Sequence, residues 1–532
     1  MSFKKTAMLI FGSMTLVSVY QNCAPQKMQF IDEASLESAN IPEAPICRDM
    51  TAEEIKPTLD YAWIPETSVL PEYNQVMASP VVGDIDGDGI PEILFVNFKG
   101  SAYNSEGVLR VIDGRTGATK WSVSSDDLRP HGTTTPLLLD IDRDGKPEIF
   151  YLQNSKNTVV ALNNDGSLRW KMTIPTSLSG CKEGFAGAQF SAHKNSSVIA
   201  GNIVISEDET KTPFIDFKLE ETTGSCGSYA TSLGTQKGTP SVVVGATGVF
   251  NEAGKKLWSF VRGGSVASAD LIPEVSGVEV VVTGGGYFTI YNGLTGEVIV
   301  DKSLSEHSEL ICRFDANKRP IIGGGQASIG DFDGKPETLE IAIATGKSLT
   351  IFDSHGNKIA GSVTQDCSSL VTGITSFDFN GDGKPEIIYG DEQYLRIYEM
   401  DKSGELKVIW STINPSGTLR EYPVVADVNG DGYAELVVVA NNYAVSGLYK
   451  TTEEKEAANK ITGVRVFKPS TQQAWMPTRK LWNQHSYFST HINDNLTANS
   501  STIINDTSAK SFKVNLQGRS TTTNCRSQST GG

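Results

Sequence analysis

The chain has 532 residues, of which 39% are hydrophobic and 20% charged, with 51 Gly and 22 Pro. This composition can bury a large core and argues against disordered, collagen-like and fibrous classes. The 62 acidic residues outnumber the 46 Lys and Arg, so the formal net charge is −16. An acidic surface disfavours nucleic acid and anionic membranes as partners, because both need a basic face.

The first 22 residues have the pattern of an export signal. Two lysines precede an apolar run that is too short to span a membrane. Cys23 stands where a bacterial lipoprotein carries its acylated cysteine, although Tyr20 and Asn22 depart from the usual motif before it. We therefore predict a signal peptide over residues 1–22, a lipid on Cys23 and an outer-membrane anchor, facing the periplasm or the outside. Free secretion is the alternative.

Six further cysteines in an exported chain favour disulfides. Their number allows fifteen connectivities, so each pairing is a hypothesis. We predict the pairs Cys181–Cys226, Cys312–Cys367 and Cys47–Cys525. The last pair joins the two ends of the chain, which requires a circular fold. The chain has no CxxC spacing, which disfavours a zinc knuckle or a thioredoxin-type site.

A pattern of apolar strand, acidic Gly-containing loop and second apolar strand repeats along the chain. Four strong copies begin at Ser79 (SPVVGDIDGDGIPEILFVN), Thr134, Gly373 and Tyr422, and two weaker copies follow Ala267 and Gln326. The first loop aspartates of the six copies are Asp84, Asp140, Asp270, Asp331, Asp378 and Asp427. The wide gap between Asp140 and Asp270 leaves room for one eroded unit near residues 195–217. We therefore count seven units.

Each unit continues with a hairpin signal and often a tryptophan, as in VLRVIDGRTGATKWSV, which ends near Trp121. Short β-rich runs with Gly turns, repeated at about fifty residues, are typical of a propeller blade. A helical repeat would need a 3.6-residue periodicity, which these runs lack. Ring closure also removes exposed sheet edges. We predict an all-β, seven-bladed β-propeller with four-stranded blades.

The domain organisation follows from these repeats. Residues 23–60 are polar with scattered Pro and are predicted to be a tether. The propeller is predicted over residues 61–493, with residues 172–240 as one elaborated blade and a candidate ligand-binding region. Residues 494–532 are rich in Ser, Thr and Asn and are predicted to be an irregular tail.

The acidic loops have the spacing of a calcium site. In DIDGDGIPE the carboxylates stand at loop positions 1, 3, 5 and 9, with a glycine at position 6 and a backbone carbonyl at position 7. Hard oxygen donors in this number suit Ca²⁺, and the bare carboxylates would repel one another. The predicted ligands of four sites are Asp84, Asp86, Asp88, Ile90 and Glu92; Asp140, Asp142, Asp144, Lys146 and Glu148; Asp378, Asn380, Asp382, Lys384 and Glu386; Asp427, Asn429, Asp431, Tyr433 and Glu435.

Two loops depart from this pattern. The loop at Asp331 and Asp333 is shortened and lacks the third aspartate, which makes it a candidate for a fifth site. The loop at Asp270 has lost its ligands, and we predict no metal there. No helices flank the loops, so they are not EF-hands. The alternative for all of them is a set of solvated acidic turns.

These repeats resemble the FG-GAP/VCBS repeats of the integrin α-subunit propeller and of many bacterial surface proteins, over roughly residues 75–470. The resemblance implies a seven-bladed ring with calcium in certain blades and a role in adhesion or recognition. The stretch from Ala474, AWMPTRKLWNQHSYFSTHIND, is similar to a segment that closes many bacterial members of this group.

No nucleophile–base pattern or metalloprotease motif accompanies the six histidines. His485 and His491, with Asn483, Gln484 and Asp494, are interpreted as a hydrogen-bonded closing segment rather than a polar site. Arg396 is interpreted as one half of an ion pair. We therefore predict no enzyme, and a monomer that binds calcium and a protein or glycan ligand at the cell surface. It would contact the membrane only through its lipid. The alternatives are an envelope-assembly scaffold, a calcium-dependent polysaccharide-active enzyme and a quinoprotein-like enzyme.

Overall fold

The strands form a ring of eight antiparallel sheets. The computed structural model describes residues 55–66, 69–178, 184–190, 193–220, 227–234, 242–306, 311–401, 403–471, 473–499 and 511–515. Each blade has four strands in consecutive hydrogen-bonded order, and one blade has a fifth short strand. The predicted all-β propeller with four-stranded blades is confirmed, but the blades number eight and the prediction of seven was wrong.

Blades 1 to 4 each begin with a short strand, and their bounds are as follows. Blade 1 has Val81–Gly83 (β3), Glu92–Lys99 (β4), Val108–Asp113 (β5) and Thr119–Val123 (β6), with Tyr73–Val76 (β2) added beside β4. Blade 2 has Leu137–Leu139 (β7), Glu148–Leu152 (β8), Thr158–Leu162 (β9) and Leu168–Thr173 (β10). Blade 3 has Ala186–Ala188 (β11), Ser197–Ala200 (β12), Ile203–Glu207 (β13) and Pro213–Lys218 (β14). Blade 4 has Tyr229–Thr231 (β15), Val242–Val244 (β16), Gly248–Asn251 (β17) and Lys256–Ser259 (β18).

Blades 5 to 8 follow the same order, except that the last blade borrows its outer strand from the start of the chain. Blade 5 has Ser265–Ala269 (β19), Glu279–Gly284 (β20), Tyr287–Asn292 (β21) and Val298–Ser303 (β22). Blade 6 has Ser328–Gly330 (β25), Glu340–Ala344 (β26), Ser348–Phe352 (β27) and Lys358–Val363 (β28). Blade 7 has Thr375–Phe377 (β29), Glu386–Gly390 (β30), Tyr394–Met400 (β31) and Leu406–Ile413 (β32). Blade 8 has Val424–Ala426 (β33), Glu435–Ala440 (β34), Gly463–Pro469 (β35) and Pro57–Ala62 (β1), which closes the ring.

The additional blade lies between Asp140 and Asp270. Two complete blades, 3 and 4, fit into this gap, where one eroded repeat was expected. Neither blade has the run of aspartates that marks the strong repeats. Both still form, since the pairing of strands depends on their apolar residues and does not need an acidic loop. A count from the aspartates therefore missed one blade. Residues 172–240, predicted to be one elaborated blade, contain all of blade 3 and the first strand of blade 4.

The burial of each strand follows from its place in the blade. The second strand is covered by neighbouring blades on both faces, so β8 is buried at every residue and is apolar after its first glutamate. The outer strand faces solvent in part, and in β10 Trp170 is buried while the other residues are partly or fully exposed. First strands of successive blades lie side by side around the axis.

Every outer strand contains a β-bulge one residue long. In blade 1, for example, the partners of Val111 and Ile112 are Trp121 and Thr119, so Lys120 has no partner in the strand pairing. A bulge bends the strand and re-aims the extra side chain. The bulged residues of blades 1 to 8 are, in order, Lys120, Arg169, Asp216, Leu257, Ile299, Ile359, Ile409 and Asp60.

The last part of the chain lies inside the ring, and we call residues 475–499 and 511–515 the plug. Trp482 pairs with Val82 of β3, and Phe512 pairs with Ile329 of β25. The Trp482 ring is fully buried and stacks on Tyr487 with centroids 4.2 Å apart. The tail predicted from residue 494 therefore includes packed segments, and the propeller unit extends beyond the predicted limits of 61 and 493.

An additional hairpin interrupts the connection between blades 5 and 6. Its strands are Arg313–Phe314 (β23) and Pro320–Ile321 (β24), and a short 3-10 turn, Leu304–Glu306, precedes it. Cys312 at its base forms a disulfide with Cys367, as predicted, and so attaches the hairpin to the connection between blades 6 and 7. The other predicted pairs, Cys181–Cys226 and Cys47–Cys525, lie outside the described residues.

The described residues contain one α-helix, Thr452–Ala458 (α1), which follows the 3-10 turn Val445–Gly447 in blade 8. Thr451 caps it with a capping box to Glu454. In the described part of the chain, no helix has the length and hydropathy needed to cross a membrane. The predicted signal peptide, Cys23 and most of the tether lie outside the described residues.

Candidate metal sites

The acidic loops all lie on one face of the ring. Strands alternate in direction within a blade, so the loops between first and second strands emerge together on what we call the acidic-loop face. The turns between second and third strands and the connections between blades emerge on the opposite side, the connection face. The hairpin of β23 and β24 belongs to the connection face.

The first aspartate of each strong loop binds the loop backbone. Asp84 Oδ1 accepts a hydrogen bond from Gly87 N at 2.8 Å, and its Oδ2 accepts one from Gly89 N at 2.9 Å. Gly89 has a φ of 86°, which a side chain would strain, so the loop requires glycine there. The same bond to the sixth residue recurs between Asp140 and Gly145, Asp378 and Gly383, and Asp427 and Gly432.

A buried glutamate at the start of the second strand clamps the loop from the other side. Glu92 Oε2 accepts a hydrogen bond from Ile85 N at 2.9 Å. The equivalent bonds are Glu148 to Ile141, Glu279 to Leu271, Glu340 to Phe332, Glu386 to Phe379 and Glu435 to Val428. Sequence reasoning missed Glu279 and Glu340, which stand later in longer loops. Each of these glutamates is the first residue of an apolar strand, and this pattern could have identified both in the sequence.

Carboxylates converge in three of the loops. One oxygen from each member lies within 4.8 Å of the others in the groups Asp84, Asp86 and Glu92; Asp140, Asp142 and Glu148; and Asp331, Asp333 and Glu340. A donor set made only of oxygens fits a hard divalent cation. The loop of blade 6 is one residue longer than the loop of blade 1, so the prediction of a shortened loop was wrong. Its third carboxylate is Glu340, in place of the aspartate that it lacks.

The loops of blades 7 and 8 have asparagine at the third position. Asn380 Nδ2 donates to Glu386 Oε1 at 3.3 Å, and Asn429 Nδ2 donates to Glu435 Oε1 at 3.0 Å. The amide therefore lies beside the glutamate, and a rotation of the amide about its terminal bond turns its oxygen to the same place. Two aspartates and the glutamate complete each loop.

The predicted carbonyl donors lie within their loops. The backbone N–H of Ile90 donates to Asp88 Oδ1 at 2.8 Å, and Lys146, Lys384 and Tyr433 make the same bond to the aspartate two residues earlier. This bond holds the fifth-position carboxylate in the loop. Coordination of a metal by the four carbonyls stays a prediction.

A lysine lies among the carboxylates of blade 1. Lys120 Nζ lies 2.5 Å from Asp86 Oδ2, 2.7 Å from Glu92 Oε1 and 3.8 Å from Asp88 Oδ2. Burial raises the pKa of Glu92 to about 7, although the bond from Lys120 opposes the rise. The lysine thus supplies positive charge where a cation would bind.

Two cations contact the acidic loop of blade 2, Arg169 from its own outer strand and Lys211 from the turn between β13 and β14 of blade 3. Arg169 contacts Asp142 at 2.7 Å and Glu148 at 2.8 Å, and it also pairs with Glu207 of β13 at 2.6 Å. Lys211 lies 2.6 Å from Asp142. Burial raises the pKa of Asp142, but the bonds from Lys211 and Arg169 outweigh it, so the pKa lies below the ordinary value.

The loops of blades 7 and 8 differ in their cations. In blade 7, Lys384 Nζ forms an ion pair with Asp382 at 3.6 Å. In blade 8, among the described residues, no Lys or Arg forms an ion pair with Asp427, Asp431 or Glu435. Burial raises the pKa of Asp427 to about 6 and that of Glu435 well above its ordinary value. These carboxylates are therefore costly to ionise without an added cation.

The two histidines of the plug, His485 and His491, are buried and hydrogen-bonded. His491 Nε2 lies 2.9 Å from Asn483 Oδ1, and His485 Nε2 lies 2.9 Å from Arg420 O. Burial lowers the pKa of His491 to about 3 and that of His485 well below its ordinary value. The closing-segment interpretation is confirmed. Arg396 pairs with Asp391, as expected.

The fold and its loops resemble known proteins. A family model described as an FG-GAP-like repeat matches residues 378–438, and one described as outer membrane protein assembly factor BamB matches residues 72–212. The V. cholerae biofilm matrix protein Bap1 is similar at 19% identity with a TM-score of 0.68, covering 86% of this chain and 98% of that chain.

Two lyases share the fold more distantly. Rhamnogalacturonan lyase YesW is similar at 15% identity with a TM-score of 0.50, covering 75% of this chain and 73% of that chain. The exotype lyase YesX has 16% identity, a TM-score of 0.50, and coverage of 80% and 76%. No curated protein sequence matches the chain significantly. The chain thus forms a β-propeller of four-stranded blades that contains an FG-GAP-like repeat at residues 378–438.

Proposed function

We propose that this protein is an exported, calcium-binding propeller that recognises a protein or glycan ligand at the cell surface. The observation that carries the proposal is the set of oxygen-only loops on one face of a closed ring. Asp84, Asp86 and Glu92 illustrate the donor set, whose oxygens lie within 4.8 Å of one another. Calcium accepts six to eight such donors in flexible geometry. Bound calcium would cross-link the loop and offset carboxylate repulsion.

The connection face is the proposed recognition surface. Its hairpin exposes Phe314 (58%) and Ile311 (36%), and the disulfide from Cys312 holds it in place. Nearby, the guanidinium of Arg262 stacks over the ring of Tyr287 at 4.0 Å. Exposed aromatic and Arg side chains on a rigid scaffold are typical of binding surfaces. The earlier candidate region, 172–240, contributes part of this face through the connections around blade 3.

The start of the chain supports a tether on the opposite side. The outer strand β1 begins at Pro57 on the acidic-loop face, because outer strands run from that face to the connection face. A lipid on Cys23 would tether the ring to the outer membrane through the segment that enters β1 at this face, and the connection face would carry no attachment. The fold shared with a biofilm matrix protein accords with a surface role.

Two other functions have a specific observation in their favour. The BamB-type match over residues 72–212 favours an envelope-assembly scaffold, which would bind a membrane protein and would not need calcium. The fold shared with two rhamnogalacturonan lyases favours a polysaccharide-active enzyme, which would cleave an acidic glycan. A quinoprotein-like enzyme would need a cofactor on the axis, where Trp482 and Tyr487 are packed.

Retention on immobilised protein tests the proposal. Residues 24–532 are coupled to a surface and exposed to cells, envelope fragments and glycans, in calcium and in chelator. We expect retention in calcium that falls at least about tenfold in chelator. If envelope proteins are retained equally in calcium and in chelator, the result would support the scaffold instead. Release of unsaturated sugar products would support the enzyme.

A further inference from the structure

The hairpin of β23 and β24 is an addition to the blade plan. Its two strands form a separate sheet, whereas the other sheets in the described part of the chain are the eight blades. Blades 5 and 6, on either side of it in the chain, each have their four strands without it. The ring therefore does not need the hairpin for its closure, and the residues of the hairpin are available for another role.

The hairpin is held in one conformation by its own turn and by its base. Asp315 Oδ1 accepts hydrogen bonds from Asn317 N and Arg319 N, each at 2.8 Å, and Asp315 Oδ2 accepts one from Arg319 Nε at 2.8 Å. At the base, next to the disulfide, Arg313 Nη1 donates to Ser368 O at 2.9 Å. A surface that is ordered before it binds loses little conformational entropy on binding.

Exposed apolar side chains are gathered around the hairpin. Five of them lie in the hairpin segment or at the connection-face ends of blades 4 to 6, and we call them the hairpin patch: Val261, Tyr287, Ile311, Phe314 and Val363. Phe314 is 58% exposed and belongs to none of the apolar clusters in the described residues. A concentration of exposed apolar side chains on one part of a surface is typical of an interaction site, unlike the same number scattered singly.

Three contacts connect the parts of the hairpin patch. Gly286, just before Tyr287, donates from its N–H to Gly323 O at 2.7 Å, where the hairpin segment returns to blade 6. The guanidinium of Arg262, in the connection between blades 4 and 5, lies 4.0 Å from the centre of the Tyr287 ring. The disulfide joins the hairpin to the connection that begins after Val363. The members of the patch therefore lie on one part of the connection face.

The hairpin is positively charged although the chain as a whole is acidic. It contains Arg313, Lys318 and Arg319 against a single acid, Asp315, whereas the formal net charge of the chain is −16. Lys318 is exposed and, in the described part of the chain, forms no ion pair. Binding surfaces are complementary in charge, so the surface that fits this hairpin is acidic.

We propose that the hairpin patch docks a partner protein that offers an apolar pocket for Phe314 and carboxylates for the three hairpin cations. The inference rests on the proposed function and chooses a protein over a glycan as the ligand. Aromatic residues and Arg are enriched at protein interfaces and anchor them. Phe314 and Ile311 have no polar group that could bind sugar hydroxyls. An anionic bilayer is disfavoured, because it repels a molecule that is acidic overall.

Retention of residues 24–532 on envelope fragments of the producing bacterium tests the class of partner. The fragments are used untreated, after protease digestion and after periodate oxidation of their glycans, and phosphatidylglycerol vesicles are tested beside them. We expect untreated and periodate-treated fragments to retain the chain, and protease-treated fragments to lose it. Retention that survives protease or is lost after periodate would overturn the inference, as would equal binding to the vesicles.

Substitutions in the hairpin test which residues make the contact. Phe314→Ala should lower the apparent affinity about thirtyfold, because it empties the pocket that a central aromatic ring fills. Lys318→Glu should lower it about fivefold, and more at low salt, because a charge at the rim acts on the association rate. Phe214→Ala, on the outer strand of blade 3, and Lys460→Glu, in blade 8, are matched controls at exposed positions and should leave the affinity unchanged.

A carbodiimide tests the predicted carboxylates. The reagent activates a partner carboxylate, the amine of Lys318 displaces the activating group to form an amide, and the oxygen lost from the carboxylate leaves in the urea by-product. Lys318→Arg keeps the charge and removes the amine, so this variant should keep its retention and lose the cross-linked peptide. A wild-type chain that is retained through the hairpin without this cross-link would contradict an acidic partner.

The variants also separate the inference from the proposed function. If the fragments retain the wild type and both hairpin variants equally, the hairpin is not the docking site, while recognition at the cell surface stands. If no fragment retains the wild type, the proposed function fails and the inference fails with it. Because Phe314 is exposed, its variant should melt with the wild type, and Ile311→Ala is the second variant should the first fail to fold.

Discussion

The ring divides into two arcs with the same strand topology and different loops. Blades 6, 7, 8, 1 and 2 form an arc in which every blade has an acidic loop. Blades 3, 4 and 5 form an arc without them, where blade 5 keeps only the glutamate clamp of Glu279 and blade 3 has the pair His193–Asp216. Strand order and bulges are the same in both arcs. The acidic loops are therefore an addition to a ring whose topology does not need them.

The plug contacts both arcs, through different side chains. Trp482 and Tyr487 belong to the apolar cluster that includes strands of blades 8, 1, 2 and 3. Phe488 and Phe512 belong to the cluster that spans blades 3 to 6. The plug thus contacts blades with acidic loops and blades without them.

The largest effect is expected from truncation of the plug. Trp482→Ala removes a fully buried ring that stacks on Tyr487 and donates to Tyr422 Oη at 3.2 Å. We expect a loss of about 4 kcal/mol in the free energy of unfolding. Phe488→Ala is the matched variant for the other arc. Chemical denaturation measures the loss of stability in each variant. Limited proteolysis locates the first cleavage in each variant. Identical cleavage patterns would contradict two separately held arcs.

Removal of the disulfide is expected to have the next largest effect. Cys312 and Cys367 are separated by 55 residues, and the bond joins the connection after blade 5 to the connection after blade 6, where the arcs meet. The double Ser variant should lose about 3 kcal/mol, because the unfolded chain gains conformational freedom. Thermal melts measure it. The variant Cys181→Ser/Cys226→Ser provides the comparison around blade 3, and equal melting temperatures for wild type and Cys312→Ser/Cys367→Ser would refute the prediction.

The pH dependence is expected to be the same in both arcs. Burial raises the pKa of Glu421, before blade 8, and of Glu279, in blade 5, to about 7. A raised carboxyl pKa means that the folded state keeps a proton that the unfolded state releases near pH 4.5. Stability is therefore full below that pH and falls as the pH rises through about 7. Between pH 5 and 8, the free energy of unfolding of the Glu421→Gln and Glu279→Gln variants should each fall by about 2 kcal/mol less than that of the wild type. A flat stability profile in the wild type would count against both.

Calcium is expected to have a smaller effect for each site, confined to one arc. At about 1 mM calcium and a dissociation constant near 10⁻⁴ M, each occupied site adds about 1.4 kcal/mol. Hydrogen exchange of the blades with acidic loops should slow on calcium addition, while that of blades 3 to 5 should not change. An equal change in both arcs would show that calcium acts on the ring as a whole and would erase the distinction between them.

The sequence predicted the strands and the loops well where the motif is intact. The apolar runs on either side of Asp84 and Asp427 became first and second strands, and the glycine at the sixth position is required by a positive φ. The blade count failed where the aspartates are absent. The sequence also placed His485 and His491 in a closing segment, but gave no sign that this segment fills the axis.

By itself the sequence determined the blade class, the acidic loops and one disulfide, because each depends on residues close together in the chain or on a pairing that a circular fold makes plausible. Tertiary structure alone decided that Lys120 and Arg169 lie among the carboxylates. They stand 28 and 21 residues after Glu92 and Glu148, and only the bulge of a distant strand re-aims them. The charge balance of a loop thus depends on side chains that the fold places beside it and that its own sequence does not contain.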